Sequence, residues 1–198
     1  MTFIVVGAIL AGALFGYWIL PAGMLGYLDQ ATSLALCIML VGVGIDLGSQ
    51  RQTWLRLRAL GWKILLVPVL VAVGSLAGAV AGGTFLGMPF NESSAIGAGF
   101  GWYSLSGVLI AKIYSVETGA LAFLTNVSRE LLAFVLIPVL AAKFGNLVAV
   151  SPGGATTMDT TLPLIAKATD ADTTVIAVVN GTILSSLVPF LVPVLIHL

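Results

Sequence analysis

The chain has 198 residues, of which 59% are hydrophobic and only 8% charged, and its eight basic and eight acidic side chains leave no net charge. With a mean hydropathy of +1.13, it has too little polar surface for a water-soluble domain, and its neutral balance argues against a nucleic-acid partner. The composition predicts an all-α polytopic membrane protein bathed in membrane lipid, a single transmembrane domain over residues 1–198, since the alternating polarity of a membrane barrel is missing.

Phe3–Leu20 lacks a basic n-region and a small-residue cleavage site, so it reads as a first span and not as a signal peptide. Pro21 ends it. Ala31–Leu47 is the second span and contains Cys37, the single cysteine, which permits no internal disulfide and reads as packing. The following loop carries Arg51, Arg56, Arg58 and Lys63 with no acid, half of the basic residues in the chain. By the positive-inside rule this loop and the N-terminus are cytoplasmic, with Trp54 and Trp62 as interfacial anchors. Ile64–Gly83 is the third span. Its Gly74, Gly78 and Gly82 share one helix face and read as a close-packing seam. The loop Gly87–Ser94 falls outside.

Residues 97–112, GAGFGWYSLSGVLIAK, occupy the place of a fourth span running inward to Lys112. They combine Gly97, Gly99 and Gly101 with Trp102, Tyr103, Ser104 and Ser106, a mixture of no use to a lipid-facing helix. Backbone loosened at membrane depth survives only when buried in protein or lining a watery cavity, so this is a discontinuous segment of a transport site. A helix-packing seam is the alternative. Thr118–Ala142, the fifth span, is interrupted by Asn126, Ser128, Arg129 and Glu130. Asn126, Arg129 and Glu130 lie on one helix side. Intramembrane charges usually face the bundle interior and are usually functional; the alternative is a self-neutralising Arg–Glu pair.

Residues 151–167, SPGGATTMDTTLPLIAK, set Gly153-Gly154 and Pro163 around four threonines and Asp159, which makes a continuous helix unfavourable. A re-entrant or broken element near 151–168 is expected, with an ordinary extramembrane loop as the alternative. Thr174–Ile196, bearing Asn180 and Ser185-Ser186, completes about six full spans. His197, the lone histidine, supports no metal site.

The two odd stretches echo each other. Aligning Leu109–Lys112 with Leu164–Lys167 sets Gly99 on Gly154 and Ser104 on Asp159, and brings Asn126 within one residue of Asn180. The result is a candidate internal duplication, 97–141 and 152–197, of the kind in which broken segments at corresponding positions mark a transporter's binding site.

GFGWYSLSG at Gly99–Gly107, the Asn-x-x-Arg-Glu-Leu run Asn126–Leu131 and GGATTMDTTLP at Gly153–Pro163 together resemble the LysO lysine exporter family of inner-membrane proteins. The resemblance covers about residues 35–198 and looks like the C-terminal part of longer members. It implies a multi-pass protein of the inner, cytoplasmic membrane that exports L-lysine and close basic analogues, and it implies importance for Asp159. Asp46 is less reliably matched and receives no family role. The absence of the longer members' extra N-terminal spans points to a homodimer or a separately encoded small membrane subunit.

Lysine offers one carboxylate and two ammonium groups. Backbone N–H groups around Gly99–Gly101 and Gly153–Gly154 are expected to meet the carboxylate, and Asp159 and Glu130 the ammonium groups. Arg129 would hold Glu130 or bind the carboxylate. Ser104, Ser106, Thr156, Thr157, Asn126 and Asn180 would complete the hydrogen bonding, with Trp102 or Tyr103 as a cation–π face. No GxxxxGK[ST] run is present, so ATP hydrolysis by this chain is not expected, nor is any cofactor. Proton antiport through Asp159 and Glu130 is the favoured coupling, because desolvated carboxylates can exchange a proton for a cation. A structural subunit without its own site is the competing reading. An intramembrane enzyme is disfavoured, since Ser104 lacks a neighbouring base and Asp46 with Asp159 makes a poor dyad.

Overall fold

Three long apolar helices separate short, interrupted ones in the computed structural model, which describes residues 61–198 and isolated helical positions between 11 and 45. The chain divides into two units, Met1–Ser49 and Gln50–Leu198, and these helices all belong to the second. The first two expected spans, Asp46, Trp54 and the arginines of the basic loop lie outside the described residues.

A 3-10 turn at Trp62–Leu65 leads into α1, Leu66–Phe85. Then come α2 (Phe90–Gly97), α3 (Tyr103–Ile113) and α4 (Val116–Phe144). Two 3-10 turns, Val148–Val150 and Gly154–Met158, precede α5 (Leu162–Ala168), and α6 (Ala171–Ile196) ends the fold. Among the described residues α1, α4 and α6 are long and apolar enough to cross a membrane. The starts of α4 and α6 carry the expected signals: Ser115 and Asp170 cap them by accepting from Thr118 and Thr173 N–H.

The segment between α1 and α4 does not cross. Tyr114 Oη donates to Glu92 Oε1 at 3.0 Å. A helix running straight through would separate residues 92 and 114 by about 33 Å at 1.5 Å per residue. α2 and α3, of 8 and 11 residues, are instead limbs of roughly 12 and 16 Å, each about half of a 30 Å hydrocarbon core. They enter and return on one side. The inward run to Lys112 expected from the sequence is thereby corrected: Lys112 lies at the mouth through which α2 entered.

Residues 146–170 form a second hairpin of the same kind, closed where Asn146 Nδ2 donates to Asp170 Oδ2 at 2.6 Å. α4 runs from the mouth of the first hairpin to that of the second. α6 runs back, and its Ile196 carbonyl accepts from Asn91 Nδ2 at the first mouth, 3.1 Å. The two hairpin-plus-helix units therefore enter from opposite sides, the inverted arrangement that a duplicated transporter half can adopt.

Glycine supplies the close approaches, though not where the α1 stripe suggested. Cβ atoms built on Gly74, Gly78 and Gly82 would meet nothing within 4 Å, so that face packs on no described neighbour. α1 instead meets α2 at Gly83 and Gly97, where an added Cβ would collide with Ser93 and Ala79. An apolar cluster of Ala133, Ile137, Ala149, Val150, Ile165 and Ala177 joins α4, the second hairpin and α6. Pro189 and Pro193 sit within α6, as intramembrane helices tolerate when neighbouring groups take up the freed carbonyls.

Candidate functional site

The tips of the two hairpins meet near the middle of the unit. Phe100 and Gly101 have φ of +48° and +96°, and Gly154 has φ of +60°. These left-handed residues turn each hairpin, and of the three only Phe100 carries a side chain, itself fully buried. Ala155 N–H donates across the crossing to the Phe100 carbonyl at 2.8 Å. A Cβ on Gly154 would collide with that carbonyl, so glycine is required there on two grounds, conformation and space.

Each tip is held by an asparagine from the long helix that follows it. Asn126, in the middle turns of α4, accepts from Gly101 N–H at 2.7 Å and donates to the Ile96 and Ala122 carbonyls at 3.1 and 2.9 Å. Asn180 of α6 donates to the Gly154 carbonyl at 3.0 Å and to Thr157 Oγ1 at 3.1 Å. Its Oδ1 is buried without a hydrogen-bond partner. Flipping the amide would set two oxygens against each other at Gly154, so the orientation is fixed by its surroundings. Both asparagines of the sequence echo bond a hairpin tip, Asn126 by accepting from Gly101 N–H and Asn180 by donating to the Gly154 carbonyl.

Thr156 and Thr157 also serve the fold of the second hairpin. Thr156 Oγ1 donates to the Gly153 carbonyl at 2.9 Å, and Thr157 Oγ1 reaches the Gly154 and Ala177 carbonyls at 2.8 and 2.7 Å. Ser106 Oγ donates to the Trp102 carbonyl at 2.9 Å. Tyr103 stands edge-on to Phe123, with ring centroids 5.3 Å apart, and is buried, whereas Trp102 and Ser104 are partly exposed. At the first tip the backbone N–H groups expected to be open, those of Gly99–Gly101, find protein acceptors, and so do those of Ala155 and Thr156 beside the second. At the first turn of α3 Trp102 provides no side-chain cap, and Ser104 is partly exposed there.

The charged side chains divide. Glu130 is buried at 1% exposure, and Asp159, at the second tip, lies near enough for the two carboxylates to interact electrostatically. Asp159 itself is exposed on this unit, its Oδ1 accepting from Thr160 N–H. Arg129 leaves the side shared by Asn126 and Glu130. Its guanidinium donates to the Pro152 carbonyl (3.0 Å), Ser75 Oγ (2.8 Å) and the Ser151 carbonyl (3.3 Å), and lines a groove of about 540 Å³ with Leu124, Thr125, Ser128, Leu132, Leu136 and Pro152. Sequence reasoning missed Ser75 and the Ser151–Pro152 carbonyls as partners, because they are 54, 22 and 23 residues away and carry no local signature. Among the described residues no His/Cys/Asp/Glu cluster could hold a metal ion.

Residues 6–196 match the protein-family model described as Lysine exporter LysO. The chain is 38% identical over 168 residues to a protein of Escherichia coli (strain K12) named "Lysine exporter LysO", covering 85% of this chain and 56% of that protein. It is 32% identical over 186 residues to a Haemophilus influenzae (strain ATCC 51907 / DSM 11121 / KW20 / Rd) protein named "Putative lysine exporter", covering 93% and 92% respectively. The match thus spans little more than half the length of the Escherichia relative. No solved structure matches the chain.

Proposed function

The chain belongs to the lysine exporter LysO family, and on that premise we propose that it exports L-lysine and close basic analogues from the cytoplasm by proton antiport. One observation carries the reading. Two hairpins enter from opposite sides and meet at the Ala155–Phe100 hydrogen bond, with Asp159 in the second tip and Glu130 buried on α4. Inverted repeats with broken segments at mid-depth are how secondary transporters present one site alternately to two sides.

In this reading Asp159 and Glu130 take the substrate's ammonium groups and exchange them for protons. The carboxylate goes to the uncapped first turn of α3 beside Ser104, where the helix N-terminus favours an anion. Trp102 offers a cation–π face worth about 0.5–2 kcal/mol according to its desolvation. Asn126, Asn180, Thr156, Thr157 and Ser106 shape the two tips, and Tyr103 anchors α3 on α4.

Charge gives the orientation. Lys143 and Lys167, near the second mouth, lie on the side where α1 starts, the side to which the basic stretch Arg51–Lys63 leads in sequence. Lys112 is at the other mouth. The positive-inside rule assigns the side of Lys143 and Lys167 to the cytoplasm of an inner membrane.

The test is release of labelled lysine from proteoliposomes bearing the purified chain under an imposed proton gradient. Gradient-dependent release is expected from the wild type, and Asp159→Asn should abolish it while leaving insertion intact. Normal export by that variant would sink the antiport scheme. A second reading is a membrane subunit silent without a small hydrophobic partner. Release that appears only after such a partner is added would favour it.

A further inference from the structure

We propose that Arg129 is a positioning residue that braces the second hairpin from the opposite repeat, and is not a ligand for the substrate carboxylate. Its three hydrogen bonds leave α4 for two other elements: the Ser151 and Pro152 carbonyls of the second hairpin's entering limb, and Ser75 of α1. Those carbonyls lie between two short 3-10 turns, outside a continuous helical ladder, where backbone acceptors need outside donors. The planar fork of an arginine reaches all three acceptors at once. A lysine, as a point charge on a flexible stem, does not.

The guanidinium is also packed on the tip. A Cβ on Gly154 would lie 2.8 Å from its Nη2 and 3.0 Å from its Cζ. The brace is one-sided. The alignment that sets Gly99 on Gly154 sets Arg129 on Leu184, which is fully buried and has no side-chain donor. The first tip is pinned by Asn126 of its own repeat. The second is pinned by Asn180 and in addition by Arg129 from the other repeat. Hairpin two, α1 and α4 are therefore bound as one body, and opening of the second mouth requires the fork to release Ser151 and Pro152.

The experiment rests on the hairpin geometry and not on the transported substrate. In a Cys37→Ser background, Thr160→Cys reports the second tip through its rate of modification by a small methanethiosulfonate. Export of lysine is measured beside that of 1,5-diaminopentane, which has both amines and no carboxylate. Arg129→Lys should raise the labelling rate by about tenfold or more, the scale of losing charge-assisted hydrogen bonds. It should also slow both substrates by the same factor. Ser75→Ala, removing one of three ties, should give a smaller rise of the same kind. Unchanged labelling in both variants overturns the proposal, whether or not the chain transports lysine. So does a loss confined to lysine with diaminopentane export preserved, which would make Arg129 a carboxylate ligand.

Discussion

Replacing Gly154 by alanine tests the crossing at its tightest point. The residue has φ of +60°, and holding an L-residue there costs about 1–2 kcal/mol. The new methyl would collide with the Phe100 carbonyl and lie 2.8 Å from Arg129 Nη2. Relief by separating the hairpins removes the Ala155–Phe100 bond, roughly 0.5–1.5 kcal/mol, and strains the charge-assisted bonds of Arg129, roughly 1.5–3 kcal/mol. The total, about 3–6.5 kcal/mol, is the unfolding free energy that the variant is expected to lose. Gly145→Ala is the control. Its φ is +100° but nothing lies within 4 Å of its Cβ, so it carries only backbone strain of about 1–3 kcal/mol. Thermal unfolding in detergent and proteoliposome export, normalised to folded protein, should separate the two. Both variants are expected to melt lower, but only Gly154→Ala should lose export per folded molecule. Wild-type export by Gly154→Ala would refute the claim that the joined tips are needed.

Asn126→Ala strands Gly101 N–H in a buried site and removes two further hydrogen bonds; a loss of about 2–4 kcal/mol in unfolding free energy is expected from denaturant titration. Single cysteines replacing Asn91 and Ile113, in a Cys37→Ser background, should both react with an impermeant thiol reagent from the same face of the membrane. Reaction from opposite faces would mean that α2 and α3 cross after all. At the second mouth, hydrogen bonds from Thr173, its backbone N–H foremost, and then from Asn146 hold the Asp170 carboxyl below the ordinary carboxylate range. A group whose folded value is depressed stabilises fully above its unfolded value, about 3.9, and loses that contribution as pH falls through the folded one. The melting difference between wild type and Asp170→Asn should therefore hold steady from pH 7 to about pH 4.5 and shrink below it.

The outcome of Asp159→Asn depends on where that side chain points. It stands exposed on the Gln50–Leu198 unit while Glu130 is buried, so the two acids meet unlike surroundings although their charges interact. The sequence could nominate both acids, because ionisable groups inside apolar runs stand out. Their unequal exposure depends on how a hairpin tip is rotated, and residue spacing carries no record of that.

Composition alone determined that this is a helical membrane protein, because apolar runs of this length have no other stable solvent. Glycines, threonines and a proline inside those runs located both breaks, since each weakens a helix locally and independently of its neighbours. The echo between Asn126 and Asn180 also lay in the residues themselves. What the tertiary structure decided is direction. A glycine break reads the same whether the chain continues through the membrane or turns back, and only the bonds from Tyr114 to Glu92 and from Asn146 to Asp170 distinguish the two. The same holds for partners. Arg129 was visible as a buried cation beside Glu130, but its acceptors on α1 and the second hairpin are brought to it by long-range packing. Likewise the open Gly74–Gly78–Gly82 stripe and the filled Gly83 and Gly97 contacts are alike in sequence, because a glycine records that something can approach and not what does.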